Sequence, residues 1–72
     1  MEELPIEAIV TQLVQRLQHL RQTRNLTLQE VYDATGVHIA RLESQRANMT
    51  VRTLVILCRY YQVTLADLFQ EF

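Results

Sequence analysis

The 72-residue sequence contains one cysteine, one glycine and one proline, and it has neither tryptophan nor lysine. A lone cysteine excludes a disulfide framework and suits a reducing compartment. So little glycine and proline argues against a β-rich fold with many tight turns. The longest unbroken apolar run, 54–58, is far shorter than the ~18 residues of a membrane span. These absences predict one small, helical, cytoplasmic domain that does not cross a membrane.

The net charge of −1 conceals an uneven distribution along the chain. Residues 1–7 and 67–72 carry five acidic side chains and no basic one, whereas residues 8–66 carry seven arginines against three acids. A basic central segment can form a positive surface for nucleic acid even when the total charge is close to zero. The same arginines are equally compatible with an ordinary solvated surface.

Helical periodicity and capping signals predict an all-α, compact five-helix bundle that forms a single domain over residues 1–72. Apolar residues recur at i, i+3 and i+4 spacing from Ile6 to Leu20, which predicts a long first helix. Thr27 with Glu30 forms a capping-box pattern, and Thr50 and Thr64 are N-cap candidates for later helices. The predicted helices cover 5–24, 28–34, 37–46, 51–61 and 65–70.

The connection Thr35-Gly36-Val37 joins the second and third predicted helices tightly. Glycine accepts a positive φ, so two helices can cross steeply at this point. A helix-turn-helix uses that geometry to place its second helix in the major groove of DNA. The same corner occurs in many helical bundles, so the pattern alone is a weak signal.

The order and spacing of several short elements resemble the Xre family, the phage repressor/Cro type of helix-turn-helix protein. These elements are Leu20-Arg21, Leu26-Thr27, Glu43, Thr53-Leu54 and the segment 63–69. The resemblance covers about 17–70. It implies a lambda repressor-like fold and binding to double-stranded DNA.

The chain departs from the family pattern at three places. The interval from Gly36 to Glu43 is three residues shorter, which shortens the start of the third helix by nearly a turn. Leu28 stands where a glutamine that contacts phosphate is common, and Tyr32 stands where a small residue is usual. The departures leave the fold assignment intact but make the base-contacting residues harder to assign.

The candidate DNA-binding residues are polar side chains on or beside the second, third and fourth helices: Thr27, Gln29, His38, Arg41, Gln45, Arg46, Asn48 and Thr50. On the predicted third helix, His38, Arg41 and Gln45 share one face through i, i+3, i+7 spacing. Arginine and glutamine suit bidentate contacts with guanine and adenine. The resemblance implies phosphate contacts in the following loop, at Arg46 and Asn48. A solvated polar face is the alternative.

The C-terminal segment carries more large apolar side chains than closing the bundle requires. The candidate dimer interface comprises Leu65, Leu68, Phe69 and Phe72. Similar single-domain regulators dimerise through the fifth helix, so the resemblance favours a homodimer. The apolar surplus of the first helix around Val10 and Val14 is a second candidate contact surface.

The expected function is therefore sequence-specific binding of a palindromic double-stranded DNA operator by a homodimeric transcriptional regulator. We expect no cofactor, metal site or enzymatic activity. Cys58 lies in an apolar run and is expected to be a buried thiol, and Glu43 is expected to pair with Arg21 or Arg52. The alternative is a protein-interaction module or antitoxin whose main partner is another protein, such as a toxin.

Overall fold

The computed structural model describes residues 5–44 and 49–71 and contains five α-helices in this part of the chain. They are α1 (Ile6–Thr23), α2 (Leu28–Thr35), α3 (Ile39–Glu43), α4 (Val51–Tyr61) and α5 (Leu65–Leu68). The radius of gyration is 12.1 Å, close to the about 11 Å expected for a compact chain of this length. The predicted all-α, five-helix architecture is confirmed.

Three helices begin at a threonine whose side chain satisfies a free backbone amide. The hydroxyl oxygens of Thr27, Thr50 and Thr64 accept hydrogen bonds from the amides of Glu30, Thr53 and Asp67. Thr27 and Thr64 form complete capping boxes, since the carboxylate three residues on accepts the backbone amide of the threonine. The predicted starts of α2, α4 and α5 are confirmed to the residue.

Left-handed residues follow three of the helices, as the sequence predicts for Gly36. The φ angles are 55° at Asn25, 74° at Gly36 and 62° at Gln62. At the other end of α1, Pro5 is the N-cap, with φ −57° and ψ 145°, and not the first helical residue. Its ψ is extended, so α1 starts one residue later than predicted.

The largest difference from prediction concerns α3, which spans Ile39–Glu43 and starts two residues later than the predicted helix over 37–46. Residues 45 and 46 lie outside the described part of the chain. After Gly36, the amide of Val37 donates to the Thr35 hydroxyl, and the amide of Ile39 donates to the Val37 carbonyl. These local bonds form a turn that occupies the two residues predicted to begin the helix. The last helix is also shorter, because α5 ends at Leu68 and not at residue 70.

The core lies between α1 and α4, with the other helices packed around them. In the contacts between described helices, α1 touches α3, α4 and α5, whereas α2 touches α3 and α4. Fully buried side chains at the centre include Val31, Ile39, Leu57 and Tyr61. Because Ile39 faces this core, the opposite side of α3 faces outward.

The apolar surplus of α1 is smaller than predicted. Val14 is buried within the protomer, so it is not available for an intermolecular contact. Val10 and Ile6 remain exposed on the first two turns. None of the helices in the described ranges combines the length and the apolar character that crossing a bilayer requires.

Candidate nucleic-acid interface

The turn between α2 and α3 is fixed by hydrogen bonds from both sides. The amide of Gly36 donates to the Tyr32 carbonyl at 2.8 Å, which closes the end of α2. The Thr35 hydroxyl donates to the Val31 carbonyl at 2.7 Å and accepts the amide of Val37 at 3.1 Å. The direction in which α3 leaves α2 is therefore set by the backbone and one threonine.

The exposed side of α3 carries Arg41. Ile39 and Leu42 are buried in the core, whereas Ala40 and Arg41 are exposed. This alternation follows from helical geometry, because a short helix packed by two apolar side chains presents the residues between them to solvent. The arrangement makes Arg41 the cation that α3 presents.

His38 lies at the N-cap of α3, which corrects its predicted place within the helix. Its side chain makes no capping hydrogen bond. Its ring packs instead against the ring of Tyr32 on α2, with the ring centres 4.8 Å apart and the planes tilted by 38°. His38 and Arg41 therefore both border the exposed side of α3, but not as neighbours on one helical face.

Glu43 is paired with Arg21, as one of the two predicted partners. Arg21 Nε donates to Glu43 Oε2 at 2.7 Å and Nη2 donates to Oε1 at 2.9 Å, a bidentate pair. The two side chains are only 13% and 9% exposed. The hydrogen bond from Glu43 raises the pKa of Arg21 above its ordinary value. The pair fixes the end of α3 to α1 and neutralises the acid of α3.

Two other arginines on or beside α1 also bind within the protomer. Arg16 donates to the carbonyls of Leu68 and Gln70, at 2.7 and 2.6 Å, and so holds the C-terminal segment against α1. Arg24 donates to the Tyr61 carbonyl at 3.0 Å, and its guanidinium lies 5.9 Å from the centre of the Tyr61 ring. These arginines stabilise the fold.

Arg41 and Arg52 border one shallow groove of about 430 Å³ between the turn, α3 and the start of α4. Both are exposed, and neither forms an ion pair with the described residues. His38 borders the same groove. Two cations and a histidine around one concavity form a surface suited to phosphate or base edges. Sequence reasoning considered Arg52 only as a partner for Glu43, although its exposed position near the start of α4 follows from helical periodicity.

The other predicted DNA-binding residues have different surroundings. The Thr27 and Thr50 hydroxyls are engaged in helix caps. The Gln29 side-chain amide donates to Asp33 at 2.8 Å, which places a carboxylate beside it. Gln45, Arg46 and Asn48 lie outside the described residues.

Of the four residues predicted to form a dimer interface, one is buried and two are exposed. Leu68 is 3% exposed and belongs to the core cluster, so it is removed from the interface. Leu65 and Phe69 are exposed on α5 and at its C-cap. Phe72 lies outside the described residues.

The cysteine thiol of Cys58 is buried in α4, as its apolar surroundings in the sequence predict. Burial raises the pKa of the Cys58 thiol, so it stays protonated at neutral pH. Among the residues described, no three His, Cys, Asp or Glu side chains lie close enough to hold a metal ion.

Comparison with known proteins places the chain in a family. A family model described as a helix-turn-helix domain matches residues 12–71. The chain belongs to this helix-turn-helix family, whose fold indicates DNA binding. No curated protein and no solved structure is significantly similar to the chain.

Proposed function

We propose that the protein is a cytoplasmic transcriptional regulator of the Xre, phage repressor/Cro type that binds a specific double-stranded DNA sequence as a homodimer. It acts by occluding a promoter or recruiting a partner there, without an enzymatic step. The family match supports DNA binding by a helix-turn-helix domain. The placement of Arg41 on the exposed side of α3 supports a sequence-specific contact with the bases.

The charge on this surface is the observation that carries the proposal. Arg21 is neutralised by Glu43, and the hydrogen bonds of Arg16 and Arg24 lie within the protomer. Arg41 and Arg52 instead border the groove beside α3. In this arrangement α3 enters the major groove, Arg41 donates to a guanine edge, and Arg52 contacts phosphate. Gln45, Arg46 and Asn48 remain sequence-based candidates for further contacts.

The proposed dimer uses the exposed side chains of α5. Leu65 and Phe69 are four residues apart and lie on one side of the C-terminal segment. Two α3 helices related by a two-fold axis must enter successive major grooves about 34 Å apart, so the operator is a palindrome. Changing both residues to alanine is expected to yield a monomer in sedimentation velocity. The change Val51→Ala, at an exposed apolar position on α4, is the control. A dimer that survives the change at Leu65 and Phe69 would place the interface elsewhere.

The DNA-binding proposal is tested by titrating a fluorescent random-sequence duplex at low salt and following its anisotropy. Selection of bound sequences from a random library then identifies the operator. If about six phosphates are neutralised per dimer, the slope of log K against log salt is roughly −5. A flat salt dependence would contradict the proposal, and selected sites without dyad symmetry would contradict the dimer.

A second candidate function is docking of another protein, favoured by the exposed apolar residues Ile6 and Val10 at the start of α1. They are four residues apart and share a face of the helix. The test is co-expression with the protein encoded beside this one. A complex that forms with the wild type and is lost in Ile6→Ser/Val10→Ser, without any binding of random duplex, would favour this function over DNA binding.

A further inference from the structure

A second groove, of about 270 Å³, lies between α2 and α3 and shares His38 and Arg41 with the first groove. Its apolar border includes Leu28 and Tyr32 on α2 and Ala40 on α3. Leu28 and Tyr32 are each 40% exposed. Two neighbouring apolar side chains exposed beside a proposed DNA-contacting arginine form a patch that an apolar group of the DNA can cover.

The side chains around this groove are held in place by their neighbours. The Tyr32 ring packs on the His38 ring at 4.8 Å, which fixes its orientation between the two helices. Gln29 also borders the groove, but its amide is directed to Asp33 through a 2.8 Å hydrogen bond. The surface presented beside Arg41 is therefore largely aliphatic and aromatic.

We infer that this groove reads thymine through its 5-methyl group. The inference rests on the proposed function, because it assumes that α3 enters the major groove. The edges of the base pairs in that groove carry hydrogen-bond donors and acceptors, and the thymine methyl is the apolar group among them. An apolar concavity of the protein that contacts the major groove of DNA therefore has the thymine methyl as its complementary group.

The position of the groove also predicts where the thymine lies. Arg41 borders the groove, so a guanine bound by Arg41 and the thymine methyl lie within about two base pairs of each other. Each half-site of the operator is therefore expected to combine a guanine with a nearby thymine.

The experiment uses the full chain and the operator recovered by selection. Each thymine of one half-site is replaced in turn by deoxyuridine, which differs only by the absence of the methyl group. At one position the affinity is expected to fall about fourfold, the value for one methyl group removed from an apolar contact. Fluorescence anisotropy at fixed salt measures the change.

Variants of the groove identify the residues responsible. In Tyr32→Ala, thymine and deoxyuridine operators are expected to bind equally well at the sensitive position. Leu28→Ala is a second variant that leaves the Tyr32–His38 contact in place, and it is expected to reduce the difference. Ile6→Ala, at an exposed apolar residue of α1, is the control and keeps the full fourfold difference. Circular dichroism checks that each variant is folded.

Three outcomes separate this inference from the function on which it rests. A sensitive thymine whose effect is lost in the groove variants supports it. An operator bound tightly but indifferent to deoxyuridine at every position overturns the inference and leaves the DNA-binding function intact, as does a sensitivity that both groove variants retain. Failure to bind any duplex at low salt overturns both.

Discussion

The arginines on or beside α1 and those on α3 and at the start of α4 have the same side chain but differ in whether the guanidinium is hydrogen-bonded within the protomer. Arg16, Arg21 and Arg24 donate to carbonyls or to a carboxylate within the protomer. Arg41 and Arg52 are exposed around a concave surface next to the helix-turn-helix. The first group stabilises the fold, and the second supplies the charge that a DNA partner would meet. The local sequence does not distinguish the two groups, since both consist of arginines on or next to helices.

The largest effect on stability is expected from Arg21→Ala, which tests the structural group of arginines, Arg16, Arg21 and Arg24. The change leaves the Glu43 carboxylate in a poorly hydrated site without its bidentate partner, so unfolding free energy falls by about 2–4 kcal/mol. Urea denaturation followed by circular dichroism measures the loss. The double variant Arg21→Ala/Glu43→Ala is expected to lose less than the sum of the single changes.

Arg59→Ala provides the matched control for this prediction. Arg59 is an exposed arginine near the C-terminus of α4, and its removal should change unfolding free energy by no more than about 0.5 kcal/mol. Equal losses for Arg21→Ala and Arg59→Ala would remove the distinction between the two groups of arginines.

The second prediction concerns Tyr61, whose ring packs beside Arg24 of the structural group. Burial raises the pKa of Tyr61 to about 12 from an ordinary value of 10.0. Between these two values the unfolded chain has released a proton that the folded chain retains, so stability is present below pH 10 and is lost as pH rises toward 12. The full loss is about 2–3 kcal/mol and is complete only above pH 12. About 2 kcal/mol of it is expected between pH 9 and pH 11.5, where urea denaturation measures it.

Tyr61→Phe separates this contribution from the other titrating groups. Within residues 5–44 and 49–71, the Tyr61 hydroxyl is a buried group without a hydrogen-bond partner. Its removal at pH 7 should therefore alter stability by less than about 1 kcal/mol, while reducing the alkaline loss. An unchanged alkaline loss in the variant would assign that loss to other groups.

The third prediction tests the exposed group through binding. Arg41→Ala should weaken the selected operator by about 1–3 kcal/mol and relax the preference at one base pair, because a bidentate guanine contact is lost. Arg52→Ala should weaken specific and random duplexes alike, as expected for a phosphate contact. Anisotropy titrations measure both, and Arg59→Ala is again the control. Unfolding free energies that fall together with affinity would mean that these arginines also belong to the structural group.

The smallest effect on stability is expected at the turn at Gly36, which lies between the two groups of arginines along the chain. In Gly36→Ala, the added Cβ meets no atom within 4 Å, so the cost comes only from a φ of 74°. That conformation costs an alanine about 1–2 kcal/mol. Thermal unfolding measures this loss, and Gly36→Asn is expected to lose less, since asparagine tolerates the left-handed region better. A loss far above that value would indicate that the turn rearranges.

Features governed by near neighbours in the chain followed from the sequence. The caps at Thr27, Thr50 and Thr64 and the left-handed Gly36 depend on groups within about four residues, so local patterns predict them. The start of α3 did not follow, because the bond from Val37 to the Thr35 hydroxyl competes with the first helical turn. His38 was therefore assigned to the wrong position.

The sequence by itself determined the five-helix architecture, the tight turn at Gly36 and the polar side of α3, since capping and periodicity act over one or two helical turns. It also restricted the partner of Glu43 to two arginines. Only the tertiary structure decided that Arg21 is that partner and that Arg16 holds the C-terminal segment. It also decided that Leu68 is buried and that Arg52 borders the same groove as Arg41. The hydrogen bonds of the α1 arginines join residues that are 22 to 54 positions apart in the chain. Contacts at such separations depend on how the helices pack, which no local pattern encodes.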